Sequence, residues 1–511
     1  MKKNTTDKII KCSITLVFIL LPFIDILRTT RVKDIEIFNI AVIEFINIAL
    51  ILISFMASLY KRYESKEKIK LKSIIFVSIY LLILGIYLVL HCINIFKFDI
   101  NIYGKAKFSF LIELYYIFRV YILPLILIIT LIFNKDIFNK EYYISITKYL
   151  IYIIAGSIVI LNLFRFSYSS YASDSSLDGN YQINNTNFFD VFEKQENYKE
   201  LLTSGLFPSA NQISIILVML LPFNIYNLYK NKKILNIFLL MLQTFAMIIV
   251  GTKVAALGAT IILISTLCMY IFFAVINKKC DKKYIIMHGV AIIFAVVIIS
   301  ISPFAKLMNE KKSLSFEKHS DIETTETEEL EAYEKTEETI SNEEIVNYIY
   351  QNSYNFKIDK LFFDIYPIEG DIDFWIQMAK QDKMLNNDYR ILKNNIMSRI
   401  FERNNEKTDI LFGLGYTLDF MDMERDYVYQ YYLFGIVGVI LLMGIYIYMF
   451  LKNIFMVLNR NKFKYKNCIC IVSSLFGLIL CYFSGHLFGW VSPMLILAIT
   501  LCAERSVIID E

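Results

Sequence analysis

Twelve apolar runs divide the chain, and polar residues gather between them. The runs cover Cys12–Leu27, Ile37–Tyr60, Ser73–Phe96, Phe108–Phe133, Tyr142–Phe164, Leu206–Tyr229, Ile234–Gly251, Val254–Ile276, Tyr284–Pro303, Tyr427–Leu451, Cys468–Gly485 and Leu487–Cys502. Each approaches the roughly 20 residues with which an α-helix crosses a bilayer core. Hydrophobicity is continuous along a run, whereas the strands of a membrane barrel alternate. In lipid the backbone must also close its own hydrogen bonds, which a helix does alone. The predicted fold class is therefore an all-α polytopic membrane protein of about 12 transmembrane helices. The first run follows Lys2, Lys3, Lys8 and Lys11, as a signal peptide would. It continues to Leu27, ends in Arg28 and Arg31 and has no small-x-small cleavage site, so an uncleaved span is expected.

The connectors give an orientation. With the N-terminus inside, the inner connectors hold 25 Lys and Arg and the short outer ones seven. This asymmetry places both termini in the cytoplasm of a multi-pass plasma-membrane protein. Two long loops then lie outside, Arg165–Gly205 and Phe304–Asp426, between the fifth and sixth and the ninth and tenth runs. The expected organisation is residues 1–303 with nine helices, an extracytoplasmic loop at 304–426, and residues 427–511 with three helices. The large loop is bipartite. Asp321–Glu344 holds eleven acidic residues and one Lys, a solvated or disordered tract. Aromatics return from Tyr348 to Trp375, followed by a basic amphipathic stretch with Arg390, Lys393, Arg399 and Arg403 that is predicted to fold as helices.

Composition excludes some classes. The chain is 56% hydrophobic, too apolar for a soluble protein of 511 residues. Its net charge of +4 averages an acidic loop with basic connectors, and no concentrated basic face suggests nucleic acid. The eight cysteines lie in or beside apolar runs, so they read as small buried hydrophobes and not as a disulfide framework. The four histidines show no metal-ligand spacing, and no metal or cofactor is expected.

Ionisable residues inside spans need a reason. Asp25, Glu44, Glu113 and Arg119 all fall in the outer half of their runs, as an ion-pair network between helices or as a polar cavity open to the outside. Lys253 lies in the short turn Gly251-Thr252-Lys253, close to the outer membrane plane. It reads as a snorkelling lysine or as a fixed cation for a lipid-linked diphosphate, whose charge grows as it leaves. Arg119, Arg390, Arg399 and Arg425 are further diphosphate candidates, because guanidinium forks match phosphate oxygens. Glu424 and Asp426 flank Arg425 where the tenth run begins. Acids there suit a helix dipole, and one could equally act as the general base that a sugar hydroxyl needs. Gly413-Leu414-Gly415 reads as a tight turn, not a phosphate loop.

These segments, in this order, resemble the O-antigen ligase/polymerase family, membrane glycosyltransferases that use polyprenyl-diphosphate sugars. Pro208-Ser-Ala-Asn211 with Leu221-Pro222 is similar to the family's Asn-Pro-Asn segment and the apolar run that follows it. Gly251-Thr252-Lys253 resembles its Gly-Ser-Arg turn. Leu411-Phe-Gly-Leu-Gly415 resembles its Gly-x-Gly segment, and Tyr427 to Gly438 the span ending Gly-Ile-Ile-Gly. The likeness covers Leu206 to Leu451; the first five runs match in number and hydropathy alone. Two departures stand out: Lys253 replaces Arg, and Glu424-Arg425-Asp426 stands where ligases often carry His-Asn, which is similar to polymerase members. The resemblance implies metal-independent, inverting transfer of a glycan from a polyprenyl-diphosphate-linked oligosaccharide to a sugar hydroxyl at the outer face. Glu424 and Asp426 would be catalytic, with Glu113, Asn211 and Tyr427 in the substrate cavity. A flippase and a chain-length regulator of the same pathway would be partners, beside membrane lipids. The alternatives are a ligase to another acceptor and a flippase for the lipid-linked glycan; the sequence shows no clear internal repeat of the kind transporters carry.

Overall fold

The structure, a computed structural model, describes residues 2–29, 42–65, 71–102, 108–171, 183–193, 197–309, 342–356, 358–381, 389–417, 423, 425–459, 461–483 and 486–509. Among these residues eleven helices are long and apolar enough to span a membrane. They are α1 (Lys2–Thr29), α2 (Val42–Glu64), α3 (Leu71–Ile95), α4 (Phe110–Phe133), α5 (Lys140–Leu163), α6 (Ala210–Lys230), α8 (Lys253–Ile276), α9 (Lys282–Ile301), α15 (Asp426–Leu458), α16 (Tyr465–Phe483) and α17 (Val491–Ile509). The remaining predicted run is the shorter apolar helix α7, Ile234–Val250. Its 17 residues span about 25 Å at 1.5 Å each. The all-α polytopic class holds. The predicted boundaries erred where helical hydrogen bonding outruns hydropathy: α15 continues to Leu458, and α17 starts at Val491, with Pro493 in its first turn, and runs to Ile509.

The chain forms two compact units. One comprises Met1–Ile74, Ile117–Glu310 and Leu442–Glu511, the other Ile75–Tyr116 and Lys311–Leu441.

The first unit is a helical bundle around α6. Burial there runs opposite to hydropathy. The α6 window is 94% buried with mean hydropathy 1.5, α17 is 83% buried at 1.6, and α9 is 22% buried at 2.6. Lipid tails give helices no hydrophobic reason to associate, so the outermost helices must be apolar all round and the enclosed ones can carry polar groups. The polar groups of α6 are used. Asn224 donates to Gln243 of α7, and Gln243 donates back to the Leu217 carbonyl. Ser473 of α16 donates to the Met219 carbonyl, and Gly477 sits against the Met219 sulfur. Tyr229 meets Tyr465 at the other end of the same pair, so α6 and α16 are antiparallel. There Tyr284 bonds to both Tyr465 and His288. The Leu263 carbonyl can only accept from His288 Nε2; Nδ1 of the neutral ring therefore accepts from Tyr284, which accepts from Tyr465. Glu504 is likewise fully buried, taking bonds from Asn453 and the Ser474 amide. The described part of the first long loop adds two short strands, Ser167–Tyr168 and Ile183–Asn184, paired antiparallel. Arg165 pairs with Asp190 there at 2.7 Å.

The second unit contains most of the large loop. Of the acidic tract, only Asn342–Glu344 lie among the described residues, opening α10 (Asn342–Gln351). Then come α11 (Leu361–Ile365), α12 (Ile372–Lys380), α13 (Tyr389–Asn404) and α14 (Asp409–Phe412). Phe362, Phe363, Tyr366, Phe374 and Trp375 form their core with Ile396 and Ile400. Asp371 caps α12 and accepts a fork from Arg399, Nε to Oδ2 at 2.7 Å and Nη2 to Oδ1 at 3.0 Å. Tyr366 donates to the same carboxylate, and Arg403 lies 3.5 Å away. Burial pushes the Asp371 pKa up, but the Arg399 and Tyr366 bonds outweigh it and hold the group below its ordinary value.

A carboxyl with a depressed folded pKa stabilises above its unfolded value, about 4, and the contribution disappears as pH falls through the folded value. Amide exchange across residues 358–404, corrected for intrinsic rates, should therefore lose protection below about pH 4. Arg399→Met should cost of order 2 kcal/mol at neutral pH by leaving a buried carboxylate without its fork. In the first unit, Gly477→Val should lower the thermal midpoint in detergent, because a Cβ at Gly477 would meet the Met219 sulfur at 2.7 Å.

Candidate functional site

In the first unit, two segments far apart in sequence come together. Helix α6 opens after Pro208, with Ser209 accepting from the Gln212 amide; α8 opens after Gly251, with Thr252 accepting from the Ala255 amide. Ser214 and Thr252 share a hydrogen bond of 2.7 Å, and four residues on, Val218 lies against Gly258. The contacts advance in the same direction along both helices, so the two are parallel and begin at one edge. Gly251 makes the turn possible: its φ is +66°, and a Cβ there would meet the Leu202 side chain at 2.3 Å. The Gly251 carbonyl accepts from Tyr171, and Thr203 donates to the Ile249 carbonyl, so the turn is fixed from outside.

Lys253 is the first residue of α8 and is exposed, while Asn211 is half-buried in the first turn of α6. Among the described residues the Lys253 ammonium takes part in no hydrogen bond or ion pair. Each helix start carries about half a positive charge on its free amides, so two starts and a lysine make this edge attractive to an anion. Arg119 differs. It is buried in the π-helical stretch Phe118–Ile122 of α4 and pairs with Glu44 at 3.3 Å, so its charge is matched inside the bundle. His486, between α16 and α17, has φ +70° and lies beside Trp490.

In the second unit, the Gly-Leu-Gly turn meets a broken helix. Gly435 interrupts α15 with φ +64° and ψ −179°. The carbonyls of Tyr432, Leu433 and Phe434, which an unbroken helix would satisfy four residues on, are instead taken by the Leu414 amide, the Gly415 amide and the Tyr87 hydroxyl at 2.8, 2.8 and 2.9 Å. Backbone meets backbone here, and glycine is required on both sides. A Cβ at Gly413 would lie 2.3 Å from the Leu433 oxygen, and one at Gly435 2.4 Å from the Leu411 carbonyl.

The turn is held from behind by α3 and α4. His91 Nδ1 donates to the Phe412 carbonyl at 2.6 Å, and His91 Nε2 faces Glu113 Oε1 at 3.0 Å. Glu113 also accepts from the Tyr416 amide at 3.1 Å and the Thr417 amide at 2.9 Å. The Phe412 oxygen cannot donate, so Nδ1 carries a proton, and one further proton lies between Nε2 and Oε1. Asn94 donates to the Gly413 carbonyl and to Asp409, which also accepts from Asn404. Burial pushes the Asp409 pKa up, and the two asparagine bonds only partly offset this. Tyr116 stacks on Tyr416 with ring centres 3.8 Å apart.

Of the residues expected from sequence, Asp426 is buried at the first position of α15, and Arg425 and Tyr427 are half-buried beside it. Arg390 is half-buried on α13, and the Arg399 guanidinium is engaged by Asp371. Glu424 lies outside the described residues. Glu113 is fully buried with both oxygens occupied. Sequence reasoning passed over His91; its one signal was a histidine inside a span, which carries the cost of any intramembrane ionisable group. No group of three or more His, Cys, Asp or Glu that could hold a metal ion occurs among the described residues.

The sequence matches the family described as O-antigen ligase like membrane protein over residues 8–506. No curated protein and no solved structure matches the chain. The match runs through the first five helices, where the motifs were silent, as well as through the two helix starts, the Gly-Leu-Gly turn and the interrupted span. The chain belongs to the O-antigen ligase-like family of membrane proteins.

Proposed function

We propose that this protein polymerises repeat units of a cell-surface polysaccharide, moving a glycan from a polyprenyl-diphosphate carrier onto a sugar hydroxyl at the outer face of the plasma membrane. The single observation that carries the diphosphate half of this reading is the paired start of α6 and α8 with Lys253 exposed at that edge. An oligosaccharyl diphosphate leaves with growing charge on its oxygens, and a fixed cation with helix amides stabilises that charge more in the transition state than before it. Asn211, on the first turn of α6, hydrogen-bonds the donor, and Arg390 and Arg425 add cationic contacts.

For the acceptor, Glu424 or Asp426 takes the proton from the attacking hydroxyl. The oxygen attacks the anomeric carbon, the bond to the lipid diphosphate breaks, and the configuration inverts. No metal takes part. The Glu424-Arg425-Asp426 sequence favours a polymerase over a ligase to another acceptor. The excess of Lys and Arg in the connectors of one side supports cytoplasmic termini and, with them, helix starts at the outer face. Transport of the lipid-linked glycan is the second reading, favoured by the interruption at Gly435, since broken spans recur in transporters. Against it, the three carbonyls exposed by the break are all occupied within the protein.

Purified protein in vesicles with lipid-linked repeat units should yield a ladder of extended chains; a single transfer to a foreign acceptor would identify a ligase, and vesicle crossing without extension a flippase. Lys253→Ala should lower kcat/KM about 100-fold, and Lys253→Arg should keep most of the rate. Of Glu424→Gln and Asp426→Asn, the variant that removes the base should lose about 10²- to 10⁴-fold in kcat. Wild-type rates in Lys253→Ala and in both acid variants would discard these roles.

A further inference from the structure

We infer that Glu113 and His91 are positioning residues for this transfer: they set the backbone of the 412–417 turn, and through it the first half of α15 and the carboxylate of Asp426. The inference rests on the proposed function for the meaning of Asp426, and on geometry for the rest.

All six amides of the turn and its first two carbonyls are held. His91 takes the Phe412 carbonyl and Asn94 the Gly413 carbonyl, while Glu113 takes the Tyr416 and Thr417 amides. Between these ends, the Leu414 and Gly415 amides are spent on Tyr432 and Leu433 of α15. Moving the turn therefore moves the first half of α15, which begins at Asp426. Side chains reinforce the link. The Phe434 ring lies 5.5 Å from the His91 ring and 6.0 Å from Tyr116, which stacks on Tyr416.

Glu113 is 0% exposed, so it does not reach a substrate in this arrangement. The reason for a carboxylate here is acceptor capacity. Two backbone amides donate to its oxygens, one to each, and Oε1 also shares a proton with His91 Nε2. Glutamine has the same shape but one acceptor oxygen, and its amide would point N–H at either Tyr416 or Thr417. That substitution tests the electrostatics without emptying the volume.

Glu113→Gln should lower kcat about 100-fold with donor KM within about threefold, and Glu113→Asp should recover part of the rate. His91→Gln should behave like Glu113→Gln. Amide exchange at Tyr416 and Thr417 should quicken in Glu113→Gln while the rest of the second unit is unchanged; this readout needs no activity. The deciding measurement is a double-mutant cycle. Asp426→Asn should cost much less in the Glu113→Gln background than in the wild type, because the base has already been displaced. Additive losses would mean a scaffold role and overturn the inference, as would unchanged exchange at Tyr416 and Thr417. A full rate in Asp426→Asn alone, with quickened exchange in Glu113→Gln, would reject Asp426 as the base. It would thereby overturn the catalytic link while leaving the anchoring of the turn standing.

Discussion

A backbone carbonyl in hydrocarbon must find a donor inside the protein, and the second unit is built on one place where a helix fails to supply it. An unpaired amide or carbonyl in lipid costs several kcal/mol, so the interruption of α15 at Gly435 persists because another segment fills the gap. That segment is the Gly413-Leu414-Gly415 turn, which offers two amides at the required spacing and no side chain at the point of approach. The turn in turn exposes its own carbonyls and amides, and His91, Asn94 and Glu113 consume those. Each exposed group calls up the next. This is why ionisable side chains sit in spans where they would otherwise be costly.

The first unit satisfies the same rule differently. Its long helices are mostly unbroken, and its polar groups serve contacts between helices. Arg119 and Glu44 neutralise one another, His288 and two tyrosines form a directed chain of hydrogen bonds, and Glu504 is wrapped by amides. The exception is the edge where α6 and α8 begin, with Lys253 exposed. There an exposed cation lies beside two helix starts, each of which carries partial positive charge on its free amides.

Much of the helix count was legible because a bilayer imposes one length and one composition on whatever crosses it. The tight turn at Gly413–Gly415 was legible too, since paired glycines rarely mean anything but an unusual backbone. What the sequence hid was pairing over distance. Gly435 looked like one more small residue in an apolar run, because its role depends on a turn some twenty residues earlier. His91 and Glu113 are 22 residues apart on different helices, and no periodicity links them. The fork from Arg399 to Asp371 was invisible for the same reason: a guanidinium reads as a phosphate ligand until its carboxylate neighbour is known.

The enclosure of α6 carries a consequence for biogenesis. A helix of mean hydropathy 1.5 partitions into lipid less willingly than its neighbours, yet it is made well before α16 and α17, which complete its surroundings. Until those helices are made, only the neighbours already translated, α5, α7 and α8 among them, can cover its serines and asparagines. Enclosure of α6 thus waits on α16 and α17, which follow it in the chain and act as closing staves around it.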